Sequence, residues 1–504
     1  MASTALAAVT GVVAPASAIA EPANAAAQAG GIGTEVQQRV DAAAVVGLDP
    51  TAQVLLLSDY DFIHALWQKA RDAGESQAAV RTAAEEAMLS TKAEDHVRFI
   101  TTGIYTARDL DRQREKDKAD AERAAKLAKS QALLAVGIPS SPELLELSDD
   151  NFIRAIVKHS ASGPEVRAAG TRALAGDTAA WREFIVNGAR EAHKRDVANE
   201  LKDLEEKNRQ EAERRKELAA RKNVAALFRI TPTEGMLGLA DDNFIRELLR
   251  AAPADAKNTE LFAAAQRAVL SSDAAEWKKF IHTGADEAYK RDDEARRKKL
   301  AEANRRLALQ IQATAEKGGV NPNLVAAAKQ ALDGSAEDVA EFLKDDNQYR
   351  ARRQSLQTSD AQHTGFYIRR SAVDGDGAWI APVNAKSQQS TREDATWVIV
   401  PALANDPGCY SFESVSKPGY YLMAREEDHL AQILPDDGST GFRQSATWCA
   451  RKGLAGSGTS FEWASQQSTG RWLQWWNGKL FALLPGTEGF EQGTTWKVSA
   501  PLAR

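Results

Sequence analysis

Apolar Phe-Ile pairs recur along the first two thirds of the chain, each opening a helical apolar face just behind a short polar cap. The segments "LSDYDFIHAL" (57–66), "LSDDNFIRAI" (147–156) and "LADDNFIREL" (239–248) repeat at offsets of 90 and 92 residues. Their Ser or Asp residues suit the free N–H groups of a helix start. A second motif follows each one: "VRFITTGIYTARD" (97–109), "WREFIVNGAREAHKRD" (181–196) and "WKKFIHTGADEAYKRD" (277–292). In these, Gly103, Gly188 and Gly284 stand four residues after a Phe, where a glycine can end or kink a helix. The pattern predicts a tandem helical array over 35–350.

Between the motifs run long charged helices, roughly 104–134, 189–228 and 285–317. In the second of these, the four-three seam at 197, 201, 204, 208, 211, 215 and 218 reads Val, Leu, Leu, Asn, Glu, Arg, Leu. The apolar stripe breaks after two turns, so solvated arms or hairpins are favoured over a parallel coiled coil. The charge runs read first as solvated faces and second as grooves for protein partners.

"ALAGDTAAWREFIVNG" (173–188), "VLSSDAAEWKKFIHTG" (269–284), the shortened "ALDGSAEDVAEFLKD" (331–345) and the weaker "AMLSTKAEDHVRFITTG" (87–103) resemble the ALF repeats of secreted bacterial proteins. The resemblance covers most of 50–350. It implies a helical scaffold and carries no known chemistry.

The pattern changes at about residue 355, where short apolar runs alternate with Gly, Pro and Asp turns. Only 28 of the 134 charged side chains, but eight of the eleven Trp, fall in the last 150 residues. "ATW" (395–397), "ATW" (446–448) and "TTW" (494–496) recur 51 and 48 residues apart, each Trp followed six residues later by Leu403, Leu454 or Leu502. "SLQ" (355–357), "SFE" (411–413) and "SFE" (460–462) mark the lobe starts. Three such lobes predict a closed all-β fold with threefold pseudosymmetry over 355–504. The fold class expected is multidomain α and β: an all-α helical repeat array with long charged helices, followed by an all-β β-trefoil domain.

"DATWVIVPAL", "CYSFESVSKPGYYL", "PDDGSTGFRQSATWCARKGL" and "SFEWASQQSTGRWL" are similar to the arabinose-binding domain of α-L-arabinofuranosidase B, a β-trefoil carbohydrate-binding module. That resemblance implies a furanose pocket in each functional lobe. A histidine ending a Tyr-Leu-Arg-His strand and the aspartate of an Asp-Ala-Thr-aromatic turn would hold the sugar. The chemistry suits a sugar, since a carboxylate accepts hydroxyl hydrogens while an aromatic face covers the apolar side of the ring.

This chain departs from that pattern. The histidine positions hold Arg370, Ala424 and Trp475, and the aspartate positions hold Asp394, Ser445 and Gly493. The sugar-binding candidates are therefore Asp394 with Arg370 in the first lobe, and a stacking platform of Trp472, Trp475 and Trp476 in the third. At least one of those three Trp is expected in the core, because alternate strand residues face opposite sides. For the Asp394–Arg370 pair the competing reading is a surface ion pair of little energetic value.

Composition narrows the function further. A net charge of −6 gives no positive field for nucleic acid, and no apolar run approaches the length of a membrane span. The first 34 residues are Ala-rich, with steps such as "ASAIA"; they read as an export signal lacking its basic start, or as an Ala-rich tail. Cys409 and Cys449 are the two cysteines, expected to close a disulfide in an exported chain or to remain as buried thiols.

No HExxH pair, GxSxG elbow or phosphate loop appears, and two cysteines make no typical zinc site. "DGDG" (374–377) imitates the start of a calcium loop, but its twelfth position is Ala385, so it reads as a turn. No catalytic residue, metal site or cofactor is expected. The functions expected are a secreted, non-enzymatic protein binding arabinose-containing or other polysaccharide, or a subunit of a secreted assembly with protein partners. An arabinose-releasing enzyme is the third and weakest reading.

Overall fold

A computed structural model describes residues 31–205, 209–371, 376–404, 406–465, 467–486 and 489–503. All but the last four residues of the expected export segment lie outside this set. Helices fill the chain from Val36 to Ala351, and strands begin at Arg353.

The helical repeats are organised by a buried cation that the sequence reading missed. Arg39, Lys129 and Arg221 stand 90 and 92 residues apart, like the motifs they serve, and are nearly excluded from solvent. Arg39 donates to the carbonyls of Leu55 (3.1 Å) and Leu57 (2.7 Å), Lys129 to that of Leu147 (2.6 Å), and Arg221 to those of Leu237 (2.9 Å) and Leu239. Each also pairs with the motif's aspartate, Asp59, Asp149 or Asp241. Each lies 5.0–5.5 Å from the ring centre of the motif's phenylalanine, Phe62, Phe152 or Phe244. One cation thus satisfies helix-end carbonyls, neutralises a carboxylate and covers an aromatic face.

The glycines of the second motif do not end their helices. Phe99–Gly103, Phe184–Gly188 and Phe280–Gly284 are π-helical turns through which the helix continues. The N–H groups of Ile104, Ala189 and Ala285 return to Phe99, Phe184 and Phe280, a bond spanning five residues. Gly103 and Gly284 keep right-handed helical angles, so no left-handed cap forms there.

Eight residues beyond each of these glycines an aspartate caps another helix. Asp111 accepts the N–H groups of Ala79 (2.8 Å) and Val80 (3.1 Å). Asp196 accepts those of Glu165 (2.8 Å) and Val166 (3.2 Å), and Asp292 those of Glu260 (2.7 Å) and Leu261 (2.9 Å). A carboxylate meeting two orphan N–H groups at a helix N-terminus satisfies both hydrogen bonding and the helix dipole.

Helices Ile104–Val136 and Ala285–Gly318 run antiparallel between two separate apolar cores. Their far ends join the core of the second and third repeats, with Ala128–Val136 meeting Ala285–Tyr289. Their near ends, Ile104 with Leu307 and Ile311, join the core of the first repeat. Their middles are exposed. Helices Ala189–Glu205 and Arg209–Leu227 double back on each other, since Arg190, Lys194 and Asn223 all meet Asp286. A solvated helical hairpin is therefore present in place of a parallel coiled coil.

The C-terminal part is all-β, with strands β1 (Arg353–Thr358), β2 (Phe366–Ser371), β3 (Gly377–Pro382), β4 (Trp397–Pro401), β5 (Cys409–Ser414), β6 (Tyr420–Ala424), β7 (Ala431–Pro435), β8 (Trp448–Lys452), β9 (Thr459–Trp463), β10 (Trp472–Trp476), β11 (Lys479–Leu483) and β12 (Thr495–Ser499). Antiparallel pairing runs β1–β4–β5–β8–β9–β12 and returns to β1, a closed ring of six. The hairpins β2–β3, β6–β7 and β10–β11 touch one another through β3–β7, β3–β11 and the Leu430–Phe481 bridge.

The repeated Thr-Trp and Ser positions hold the three lobes together. Trp397, Trp448 and Trp496 are fully buried and donate their indole N–H to the carbonyls of Ile368 (3.2 Å), Leu422 (2.9 Å) and Leu473 (3.2 Å). The Leu six residues after each Trp donates its N–H to a buried serine: Leu403 to Ser411 (3.1 Å), Leu454 to Ser460 (3.0 Å), Leu502 to Ser355 (3.1 Å). The following alanines, 404, 455 and 503, donate to Thr447, Thr495 and Thr396. The motif spacing is thus a set of buried hydrogen bonds satisfied in triplicate. Cys409 and Cys449 are joined by a disulfide between β5 and β8.

The β part is seated on the first helical repeat. Val398, Val400, Leu403, Tyr421, Met423 and Phe442 share one apolar core with Phe62, Trp67, Met88 and Ile311. Gly408 donates its N–H to Met88 O (3.1 Å), and Tyr410 its hydroxyl to Gly318 O (2.8 Å). The seat is made by β4 and the segment leading to β5 together with β6 and Phe442 of the second lobe.

Candidate functional site

Each lobe carries a position two residues beyond the carbonyl that its buried Trp engages. These are Arg370, Ala424 and Trp475, and the three surroundings differ.

In the first lobe, Asp394 ends the short helix Gln389–Asp394 and meets Arg370 near the end of β2. Arg370 Nε donates to Asp394 Oδ1 (3.0 Å) and to Ser416 Oγ (3.2 Å), and its Nη1 to Asp376 Oδ1 (2.7 Å). Lys417 Nζ closes the chain on Asp376 Oδ2 (2.8 Å) and lies 4.8 Å from the Tyr420 ring centre. Burial acts against charge on Asp376, but Lys417 and Arg370 outweigh it and hold its carboxyl below the ordinary value. The Arg370 and Asp394 side chains are only 12% and 11% exposed, so this is an enclosed network and not a surface pair. Asp376, Ser416 and Lys417 were missed because Ser416 and Lys417 arrive from the next lobe and Asp376 from a turn.

In the second lobe, Ala424 is fully buried and Ser445 nearly so. Ser445 accepts the indole N–H of Trp463 through its carbonyl (2.9 Å). Glu426, two residues past Ala424, accepts hydrogen bonds from Ser465 and from Ser468 (2.8 Å), again from the following lobe.

In the third lobe, Trp475 turns inward. Its indole N–H donates to Thr358 Oγ1 (3.1 Å), and its ring meets the edge of His363 at 4.6 Å. His363 in turn pairs with Asp360 (2.7 Å). Trp476 is 54% exposed, and Trp472 is half-buried opposite Leu483. None of the three is fully buried, contrary to the expectation of a core Trp, yet they form no single platform. Trp475 points to the other side of β10 from Trp472 and Trp476, as strand alternation requires. At Gly493 a side chain would press within 3.2 Å of the Trp475 carbonyl. A side chain there requires Gln474 and that carbonyl to give by a few tenths of an ångström.

Among the described residues, no group of His, Cys, Asp and Glu is arranged to hold a metal ion, and no helix is long and apolar enough to cross a membrane.

Comparison with known proteins agrees with this anatomy. Residues 355–498 match the alpha-L-arabinofuranosidase B (ABFB) domain, and residues 155–192 match the ALF short repeats of unknown function. A probable alpha-L-arabinofuranosidase B of Aspergillus fumigatus is 34% identical over 106 residues, covering 21% of this chain and 20% of that protein. The alpha-L-arabinofuranosidase B of Aspergillus kawachii is 35% identical over 98 residues, covering 19% and 17%. A solved GH54 α-L-arabinofuranosidase soaked with a cyclic sulfate inhibitor aligns at 25% identity with a TM-score of 0.28, over 30% of this chain and 31% of its own. The chain spans about a fifth of the length of the curated relatives it matches.

Proposed function

We propose that the C-terminal part is a β-trefoil carbohydrate-binding module, carried by an exported, non-catalytic protein whose helical array serves as its mount. The reading is supported by the match over 355–498 and by the closed ring of six strands capped by three hairpins. The observation that carries it is the first lobe, where the turn aspartate is kept as Asp394 amid Arg370, Asp376 and Lys417. Such a cluster holds both donors and acceptors beside the Tyr420 ring, the chemistry that sugar hydroxyls need. The non-catalytic part of the reading is supported by the array's repeated motifs, whose charged residues are engaged in buried structural contacts.

Titration calorimetry of the full chain with arabinoxylan oligosaccharides tests the reading. Binding that Asp394→Asn abolishes, with the fold intact by circular dichroism, is the expected result. Absence of binding to arabinose-containing and other plant glycans would remove it. Release of arabinose from arabinoxylan would overturn the non-catalytic part, and an intact Ala-rich segment with all protein retained in cells would overturn export.

A second reading, a subunit of an exported assembly, is favoured by the seat itself, because β4 and β6 of the β part are already given over to contact with helices.

A further inference from the structure

Beside the apolar seat, helix Asp59–Asp72 and the β part enclose a cleft of about 290 Å³, near the lower end of small-molecule pockets. Its wall carries Asp61 and His64 from the helix, Asp406 from the segment between β4 and β5, and Arg443 from the second lobe, with Leu57 and Leu403 as apolar lining. His64 is 3% exposed, and its Nε2 has no hydrogen-bond partner in the protein. Arg443 Nε is also buried without a partner, its nearest carboxylate oxygen, on Asp436, lying 3.8 Å away. Buried polar atoms are almost always satisfied, so two orphans bordering one cavity call for a ligand that supplies their partners.

The wall selects the class. Two carboxylates disfavour an anion, and Arg443 disfavours a cation. His64 is pushed down to about 3 by burial and by the charges of Arg443 and Arg71, so it stands neutral, able to donate or accept. Acceptors, a cationic donor, a neutral imidazole and two leucines match hydroxyl groups on a small carbon ring.

We propose that this cleft binds a neutral polyhydroxylated molecule of monosaccharide size, with hydroxyl hydrogen bonds to Asp61, Asp406, His64 and Arg443. The site is built jointly by the helical array and the β part, and it is independent of Asp394.

Histidine nitrogen–proton correlation spectra of the full chain, titrated with L-arabinose, D-galactose, D-glucose and glycerol, test it, with glycine and inorganic phosphate as contrasts. A saturable shift of the His64 ring nitrogens is expected with at least one polyol and with neither contrast. Arg443→Gln and Asp406→Asn each weaken that binding at least tenfold, whereas Asp394→Asn leaves it unchanged. No His64 shift with any polyol overturns the proposal. Binding lost in Asp394→Asn but retained in Arg443→Gln also overturns it, while leaving the first-lobe reading standing. A stronger response to glycine or phosphate overturns the ligand class.

Discussion

Arg352 Nη2 donates to Glu85 Oε2 at 3.0 Å across 267 positions of sequence, and the other oxygen of the same carboxylate accepts the indole N–H of Trp67 at 2.9 Å. This buried pair pins the first residue after the last helix of the array to the centre of the first repeat. Both side chains are about nine-tenths buried. Arg352→Met leaves the carboxylate without its cation and is expected to cost about 3–5 kcal/mol. Urea unfolding of the full chain measures it. Glu85→Gln with Arg352→Met together restores much of the loss, and a double variant no better than Arg352→Met alone would refute the pairing.

The first-lobe network makes a second expectation. Arg370→Ala leaves Asp394 and Asp376 facing each other without the guanidinium between them, at a cost of about 3 kcal/mol or more. Arg370→Lys rescues little, because one ammonium cannot span Asp394, Ser416 and Asp376 as the planar fork does. Equal stability of the Lys variant and the parent would show that the fork geometry is immaterial.

The Cys409–Cys449 bond closes a separation of 40 residues. Replacing both cysteines by serine is expected to lower stability by about 4 kcal/mol through loop entropy in the unfolded chain. Thermal unfolding with and without reductant reads the effect, and identical midpoints would exclude a contribution from the bond.

Asp406 supplies a pH signature at the seat. Burial and the neighbouring charge of Asp61 push its carboxyl up from 3.8 to about 6. Between those values the folded chain holds a proton that the unfolded chain has released. Its contribution therefore falls as pH rises from about 4 to about 6 and is fully present below that window. Asp406→Asn is expected to flatten the dependence of Tm on pH across this range relative to the parent. Parallel curves for the two proteins would assign the dependence elsewhere.

Repetition made much of this architecture legible in the sequence. The 90- and 92-residue offsets located the helical motifs, and the Trp spacing located three β lobes, because each motif residue serves the same internal bond every time. Asp394 and Arg370 were found through the resemblance to the arabinose-binding domain, whose aspartate and histidine positions they occupy. What escaped were partners contributed across lobes or from outside the quoted motifs. Ser416 and Lys417 complete a neighbouring lobe's site, Lys129 differs in type from Arg39 and Arg221, and Asp111 lies just past the end of its motif. The seat was invisible because Tyr421 and Met423 look like ordinary strand residues; only the folded chain shows that they bury against helices.

The three π-helical turns bear on the angular phase of the array. A turn closed across five residues carries one residue more than an α-turn, and one residue is about 100° of rotation about the helix axis. Asp111, Asp196 and Asp292 lie eight residues beyond these turns, so the extra residue decides which way each carboxylate points. Removing it would swing each carboxylate about a quarter of a revolution away from the N–H groups it now meets. The glycine-bearing turns thus act as the clocking element of the array, setting the azimuth at which each long helix delivers its cap to the repeat beside it.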